Sequence, residues 1–399
     1  MALQYRYLIV GGGMTADAAV AGIRSLDPDG SIALISEEPF PPYNRPPLSK
    51  ALFKGDRVEQ IWRTLNYEEQ GVDLFLTTRA TALNPDGHTV TDSTGRVFHY
   101  ERCLLATGGT PIRLRQLSAV PTMYYRSLHD YFWLQRHALN AREVAVVGGG
   151  FIGSEMAAAL TLQKKHVHQI VPETGLIGRV LPSELSENVA DYYREQGVDV
   201  HTDTSVTGAR KEGNRIHLET DRGEIVVDLV VAGVGIRPRI ELAELAGLKI
   251  GDGIEVDQGL MTGAPDVYAA GDVASVYSRP LGRHWRVEHE DNANVQGETA
   301  GRIMAGATAP YDYLPFFYSD LFDLGFEAVG RVDSRLRAVA DWAEPFRQGI
   351  VYYLDDGNHV DGVLLWNAWD RVDRARALIE SRKIFTEADD VRGQIALED

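Results

Sequence analysis

Two glycine triplets carry the most chemistry in this chain. Gly11-Gly12-Gly13 and Gly148-Gly149-Gly150 each follow a short apolar run, Tyr5–Val10 and Glu143–Val147. A dinucleotide pyrophosphate needs backbone N–H groups aimed at it from a helix N-terminus. It also needs side chains to be absent where the backbone comes close. Gly11 and Gly13 with Ala16, and Gly148 and Gly150 with Gly153, meet both needs. An acid about 20 residues on should hold the ribose hydroxyls. Glu37 lies 21 residues after Ala16, and Glu173 lies 20 after Gly153. One triplet could be a plain tight turn, but two with strand, helix and acid in register predict two nucleotide sites. Hydride exchange between a nicotinamide and a flavin accounts for both; the competing reading is one working site and one vestigial copy. Asp272, which follows the small-residue strand of VYAAGDV, could accept from a flavin ribityl hydroxyl, although a Gly-Asp pair is also ordinary turn chemistry.

The elements that position these residues repeat. Strand, glycine turn, helix (Ala16–Ser25, and from Gly153), second strand (Ser31–Ile35, Val167–Val171) and acid recur about 137 residues apart. The expected fold class is α/β, with two Rossmann-like dinucleotide-binding domains and a C-terminal α+β domain. Short strands are predicted at His88–Thr91, Val97–Tyr100, Cys103–Ala106, Ile216–Thr220 and Ile225–Val231. After Pro310 the pattern changes to an antiparallel meander: Phe326–Val332, Arg337–Ala343, Gly349–Leu354 and Val360–Trp366, closed by a helix from Val372 to about Arg382. Boundaries fall near residues 115, 241 and 310. The expected domains are 1–115 with 242–310, an inserted 116–241, and 311–399.

Composition removes other classes. The 399 residues carry 40 basic against 57 acidic side chains, a net −17. Nucleic-acid binding needs a positive surface and is not expected. No run of 18 apolar residues suggests a membrane span, and MALQYRYLIV lacks the build of a signal peptide. A cytoplasmic protein is expected. The one cysteine, Cys103, permits no internal disulfide, CxxC pair or cysteine-based zinc site.

The segments PPYNRPPLSK (Pro41–Lys50) and GGGFIGSEMAAAL (Gly148–Leu160) resemble the flavoprotein pyridine-nucleotide reductases of the ferredoxin-reductase type. VPETGLIGRVLPSEL from Val171, VEHEDNANVQGETAG from Val287 and FFYSDLFDLGFEAVG from Phe316 are most similar to the apoptosis-inducing factor branch. The resemblance spans essentially the whole chain and implies an FAD domain (1–115 with 242–310), an inserted NAD domain (116–241) and a C-terminal interface-type domain. It implies FAD contacts from Gly12, Gly13, Met14, Thr15, Glu37, Glu38, Arg45, Lys50, the backbone at Ala80, Arg126, Asp272, His289 and Glu290. For NAD it implies Gly149, Gly150, Phe151, Ile152, Glu173, Arg179, Gly235, Glu288, His289, Glu327 and Asn367. It also pairs Glu155, near the nicotinamide, with Lys50; these two are the candidate catalytic residues.

Elementary chemistry supports several of these roles. Arg45 offers a bidentate fork to a diphosphate, stiffened by flanking prolines. Lys50 beside the flavin would stabilise charge that develops as hydride arrives, and a buried ammonium calls for a counter-charge such as Glu155. Plainer readings stay open: a solvated Lys50, a first-turn helix acid at Glu155, a satisfied core histidine at His289, and a core phenylalanine rather than a flavin shield at Phe151. The family usually carries tryptophan where this chain has Tyr318, which stacks over less area. Human-type members also carry a C-terminal insertion and an N-terminal targeting region not read here, which removes the basis for a mitochondrial address.

Disulfide-type reductases need a cysteine pair, and NADH peroxidases need one cysteine in the loop that here reads Pro42-Tyr43-Asn44-Arg45. Cys103 lies instead on a predicted strand. Electrons leaving this flavin must therefore pass directly to an external acceptor. Glu173 would repel a 2′-phosphate, so NADH is favoured over NADPH, with Arg179 a moderating neighbour. The leading expectation is an FAD enzyme that takes hydride from NADH at flavin N5 and reduces a [2Fe–2S] ferredoxin or another one-electron acceptor. The alternative is an apoptosis-inducing factor-like protein whose NADH-reduced charge-transfer complex controls dimerisation (a possible homodimer) or partner binding.

Overall fold

Strand Leu3–Val10 contains the predicted apolar run, and its last four residues are buried. In the computed structural model, which describes residues 3–63, 66–308 and 310–397, this strand centres a sheet. The order is Val72–Phe75, Ile32–Ile35, Leu3–Val10, Val97–Leu105, Thr89–Asp92 and Ala80–Asn84, with Val267–Ala269 also paired to Val97–Leu105. The pairs around Leu3–Val10 are parallel and place Val10 beside Ile35 and Leu105. Their carboxyl ends therefore align, the edge at which open α/β sheets bind ligands. Thr89–Asp92 and Ala80–Asn84 add an antiparallel extension. Helix Met14–Arg24 starts two residues before its predicted start. It packs on helix Glu290–Met304, where a Cβ on Gly297 or Gly301 would meet the carbonyls of Thr15 and Ala19.

The second Rossmann-like sheet is fully parallel: Val198–His201, His166–Ile170, Glu143–Val147, Leu229–Ala232, Met123–Tyr124. The run read as one strand, Ile225–Val231, is two. Gly223–Val227 belongs to an antiparallel layer with Arg215–Thr220 and Val206–Glu212, whereas Leu229–Ala232 joins the parallel sheet. The break falls at Asp228, whose carboxylate accepts the backbone N–H groups of Arg142 and Glu143. Six of the seven residues in the run are apolar, which hid the break at Asp228.

The C-terminal sheet is antiparallel, but it is not the predicted meander. Its order is Phe316–Leu321, Leu324–Gly330, Val360–Trp366, Gln348–Leu354, Arg337–Glu344. Val360–Trp366 is buried along its whole length and takes the central place; the half-exposed Arg337–Glu344 is left at the edge. Strand Phe316–Leu321 was not predicted, and helix Val372–Glu380 ends two residues early.

The chain divides into two compact units. The first comprises Met1–Arg45, Arg57–Thr110 and Arg237–Pro315. The second comprises Pro46–Asp56, Pro111–Ile236 and Phe316–Asp399. Within the second unit, Phe151 of the second glycine-led helix packs edge-on against Phe317 at 5.3 Å between centroids. Among the described residues, no helix is long and apolar enough to cross a membrane.

Candidate functional site

In the first unit, Gly11 has φ +138° and a Cβ there would run into the Ala106 carbonyl. Only glycine makes this turn. Gly12 packs on Ser36, while a Cβ on Gly13 would meet nothing within 4 Å. Met14, Thr15 and Ala16 form the buried first turn of the helix, and no side chain caps it. The carboxyl edge of the sheet thus presents bare backbone to an open space.

Glu37 and Glu38 follow the strand Ile32–Ile35. Glu37 lies 2.5 Å from Arg239 and 3.8 Å from Arg79. Glu38 holds Arg45 at 2.5 Å and accepts from the Tyr43 hydroxyl at 2.6 Å. Ala80 opens an edge strand. Asp272 sits in the turn Gly271–Val273, and the Gly271 N–H is held by Gln296. His289 is the N-cap residue of the helix that begins at Glu290. Burial pushes its imidazole down to about 4, with Asp272 opposing, so it is neutral near pH 7. Glu288 lies 2.5 Å from Arg286. All of these residues belong to the first unit. Arg126, also expected at FAD, lies in the second unit, where its backbone N–H donates to Asp130.

The second unit repeats the turn. Gly148 has φ +120°, and a Cβ there would press on the Gly233 carbonyl; Gly149 packs on Val171, and Gly150 faces open space. Gly153 lies against the Gly148 carbonyl, the close helix–strand approach that the third glycine permits. Helix Phe151–Leu162 begins two residues before the predicted Gly153, and Ile152 is exposed on its first turn. Glu155 therefore stands in the second turn, beyond the reach of a simple helix-dipole preference.

A tight ion pair explains Glu155 instead. Lys50 Nζ donates to Glu155 Oε1 at 2.6 Å, with the two side chains 12% and 6% exposed. Ser319 donates to the same oxygen at 2.8 Å, and Ser49 donates to Oε2 at 2.7 Å. Lys50 Nζ also lies 4.9 Å from the centre of the half-exposed Tyr318 ring and 3.8 Å from Asp320. Lys50 is thus a fixed, nearly dry cation and not a solvated one. Sequence reasoning missed Ser49 and Ser319. Ser49 could have been found as the neighbour of Lys50. Ser319 required the strand Phe316–Leu321, whose alternation sends it inward and Tyr318 outward.

Phe151 joins Phe317 and Phe326 in an aromatic cluster while keeping some exposure. Glu173 is half-buried in the loop after His166–Ile170, where its carbonyl accepts from Asp203. Arg179 is exposed, with its carbonyl bound by Ser334, and Gly235 has φ +96°. The Asn367 side chain accepts from the Gly325 N–H at 2.8 Å and donates to the Arg347 carbonyl at 2.9 Å. Glu327 differs from these residues: its enclosed Oε2 has no hydrogen-bond partner among the described residues.

These two glycine turns lie within a recognised domain. Residues 5–297 match the family described as pyridine nucleotide-disulphide oxidoreductase. The chain belongs to this family. Residues 300–345 match the C-terminal domain described as apoptosis-inducing factor, mitochondrion-associated. The chain is similar to mitochondrial apoptosis-inducing factor 1 of Dictyostelium discoideum, 34% identical over 98% of this chain and 81% of that protein. It is also similar to the ferredoxin reductase subunit of 5,5'-dehydrodivanillate O-demethylase from a Sphingobium species, 34% identical over 95% and 93%. Among solved structures it resembles the reductase in the covalent putidaredoxin reductase–putidaredoxin complex, with TM-score 0.88, 31% identity and coverage of 95% and 93%.

This oxidoreductase uses FAD and NAD(H), and its residues fit both. Both glycine turns leave space where a side chain would stand, and both helices lack a side-chain cap. The orphaned Glu327 oxygen asks for a donor of the kind a nicotinamide amide or ribose hydroxyl offers. Burial, then the charge of Asp370, raises the Glu327 pKa above its ordinary 4.5, against a backbone hydrogen bond from Asp370. The folded chain therefore holds this proton to higher pH than the unfolded chain does. Stability of the cofactor-free protein should fall as pH rises from about 4.5 through the raised value. Glu327→Gln should flatten that fall. Urea unfolding of both proteins at pH 5 and pH 7 checks it, and equal pH dependence would refute the assignment.

Proposed function

We propose that this oxidoreductase takes hydride from NADH onto bound FAD and passes single electrons to a ferredoxin-type [2Fe–2S] protein. The observation that carries this is the environment of Cys103. It is the only cysteine in the chain, it is fully buried on an inner strand, and burial raises its pKa. A sealed thiol cannot relay electrons, so they leave for an external acceptor directly. The relatives named for ferredoxin and putidaredoxin supply the acceptor class.

Bound FAD supplies the change from two-electron to one-electron chemistry. The protein's part in the reading is positional. The two open glycine turns take the two pyrophosphates, with Met14, Thr15 and Ala16 following the first. Arg45 offers its fork to the FAD diphosphate, Glu37 serves the FAD ribose and Asp272 the ribityl chain. Glu173 receives the NADH ribose, which disfavours a 2′-phosphate. Lys50, held by Glu155, Ser49 and Ser319, supplies a fixed positive charge. The division into FAD segments 1–115 and 242–310, NAD segment 116–241 and C-terminal segment 311–399 belongs to the same reading, as does a cytoplasmic location.

The test is anaerobic rapid mixing of the purified yellow protein with NADH, then with oxidised [2Fe–2S] ferredoxin. The reading predicts fast loss of the flavin absorbance and its fast return on adding ferredoxin. A flavin that NADH does not bleach would end it. A second reading, that reduction by NADH controls self-association, is favoured by the match of residues 300–345 to the apoptosis-inducing factor domain. Equal gel-filtration volumes with and without NADH would remove it.

A further inference from the structure

The parallel sheet of the second unit carries an unusual polar face. His166, His168, Glu143, Asp199 and His201 sit on three adjacent strands, with His166 paired to Glu143, His168 to Asp199 and Ile170 to His201. Paired residues of parallel strands share a face, and so do residues two apart. All five therefore project from one side of the sheet. The other side carries Val144, Val167, Gln169 and Val198, which are buried; Gln169 bonds to Ser154 of the helix that covers it. The antiparallel layer covers the polar side only further along, where Ala145, Val147 and Ile170 join a core with Ile216, Leu218 and Val227.

Three donor atoms converge at the uncovered end. His166 Nδ1 lies 2.6 Å and His168 Nε2 lies 3.1 Å from the same oxygen, Glu143 Oε2. The three ligand atoms all fall within 4.8 Å of one another. An ion with bonds of about 2.0–2.2 Å to nitrogen and oxygen spans such a triangle with little movement. The second observation is what stands behind the imidazoles. His166 Nε2 faces Asp199 Oδ2 at 3.0 Å. His168 Nδ1 faces His201 Nε2 at 3.3 Å and Asp199 Oδ2 at 3.6 Å. A carboxylate behind a ligating histidine fixes its tautomer and raises its basicity, the recurring outer shell of metal sites. Hydrogen bonding alone asks for no such two-layered arrangement.

We propose that Glu143, His166 and His168 bind a divalent transition-metal ion of the zinc class, with Asp199 and His201 orienting the two imidazoles. Two imidazoles and a carboxylate suit zinc, nickel or copper and not calcium, which takes oxygen ligands. The site is separate from the proposed dinucleotide turn. Glu143, which begins the strand that ends at Val147, lies five residues before Gly148 and so about 17 Å from it at 3.3 Å per residue. An ion there would clamp the strands Glu143–Val147 and His166–Ile170.

The test uses the FAD-loaded protein, washed with chelator and titrated calorimetrically with zinc chloride. The site predicts one tight equivalent of zinc, no comparable binding of calcium, and a rise in thermal midpoint on adding zinc. His166→Asn and His168→Gln should each weaken zinc about 100-fold or more. Asp199→Asn should weaken it about 10–100-fold. Reduction of the flavin by NADH should stay unchanged in each variant, which shows that it folds. His166 is half exposed, so its replacement endangers folding least. Zinc affinity unchanged in both histidine variants, or calcium bound as tightly as zinc, overturns the proposal. So does the absence of stoichiometric zinc binding.

Discussion

Lys50→Gln is expected to slow reduction of the bound flavin by NADH about 10²–10³-fold, the usual cost of removing one preorganised electrostatic group from a reacting centre. The size follows from how firmly the cation is held. Lys50 is 12% exposed and bonded at 2.6 Å to a carboxylate that accepts from two serines. It need not reorganise as charge develops. Anaerobic stopped-flow measurement of the limiting rate checks the expectation. The NADH concentration giving half the limiting rate should change little, since a uniform binding role would move that quantity instead. A limiting rate within twofold of the parent would sink the role given to Lys50.

Glu155→Ala carries the largest expected stability loss, about 3–5 kcal/mol, because it strands a buried ammonium without its counter-charge. The same principle predicts that the double variant Lys50→Met/Glu155→Leu recovers most of that loss, since replacing a buried pair by apolar side chains is often neutral. Urea unfolding of the parent, Glu155→Ala and the double variant checks both expectations. If Glu155→Ala proves no less stable than the double variant, the pair contributes little, and the carboxylate is only a well-placed helix residue.

Much of the scaffold was legible because its signals are local. Gly11 and Gly148 occupy backbone conformations that other residues resist, so both turns show in any reading of the chain. Alternation and apolar runs found most strands for a similar reason: side-chain direction follows from the backbone period alone. The failures share one physical cause. Ile225–Val231 is apolar apart from Asp228, and only the bonds that its carboxylate accepts from Arg142 and Glu143 show that it divides into strands of two different sheets. Strand order in the C-terminal sheet was likewise hidden, because burial of the whole Val360–Trp366 strand, not chain order, puts it at the centre.

Two glycine-led α/β units, the acids that follow them and the lack of any thiol relay can all be read from residue order. Each depends on residue type at short spacing. Tertiary structure alone decided which distant groups meet. Glu155 lies 105 residues from Lys50 and 164 from Ser319, yet all three share one network. Glu143 and His168 lie 25 residues apart and converge only because parallel strands bring them into register. Short-range geometry is set by φ, ψ and side-chain period, whereas long-range convergence depends on which faces the assembled core leaves uncovered.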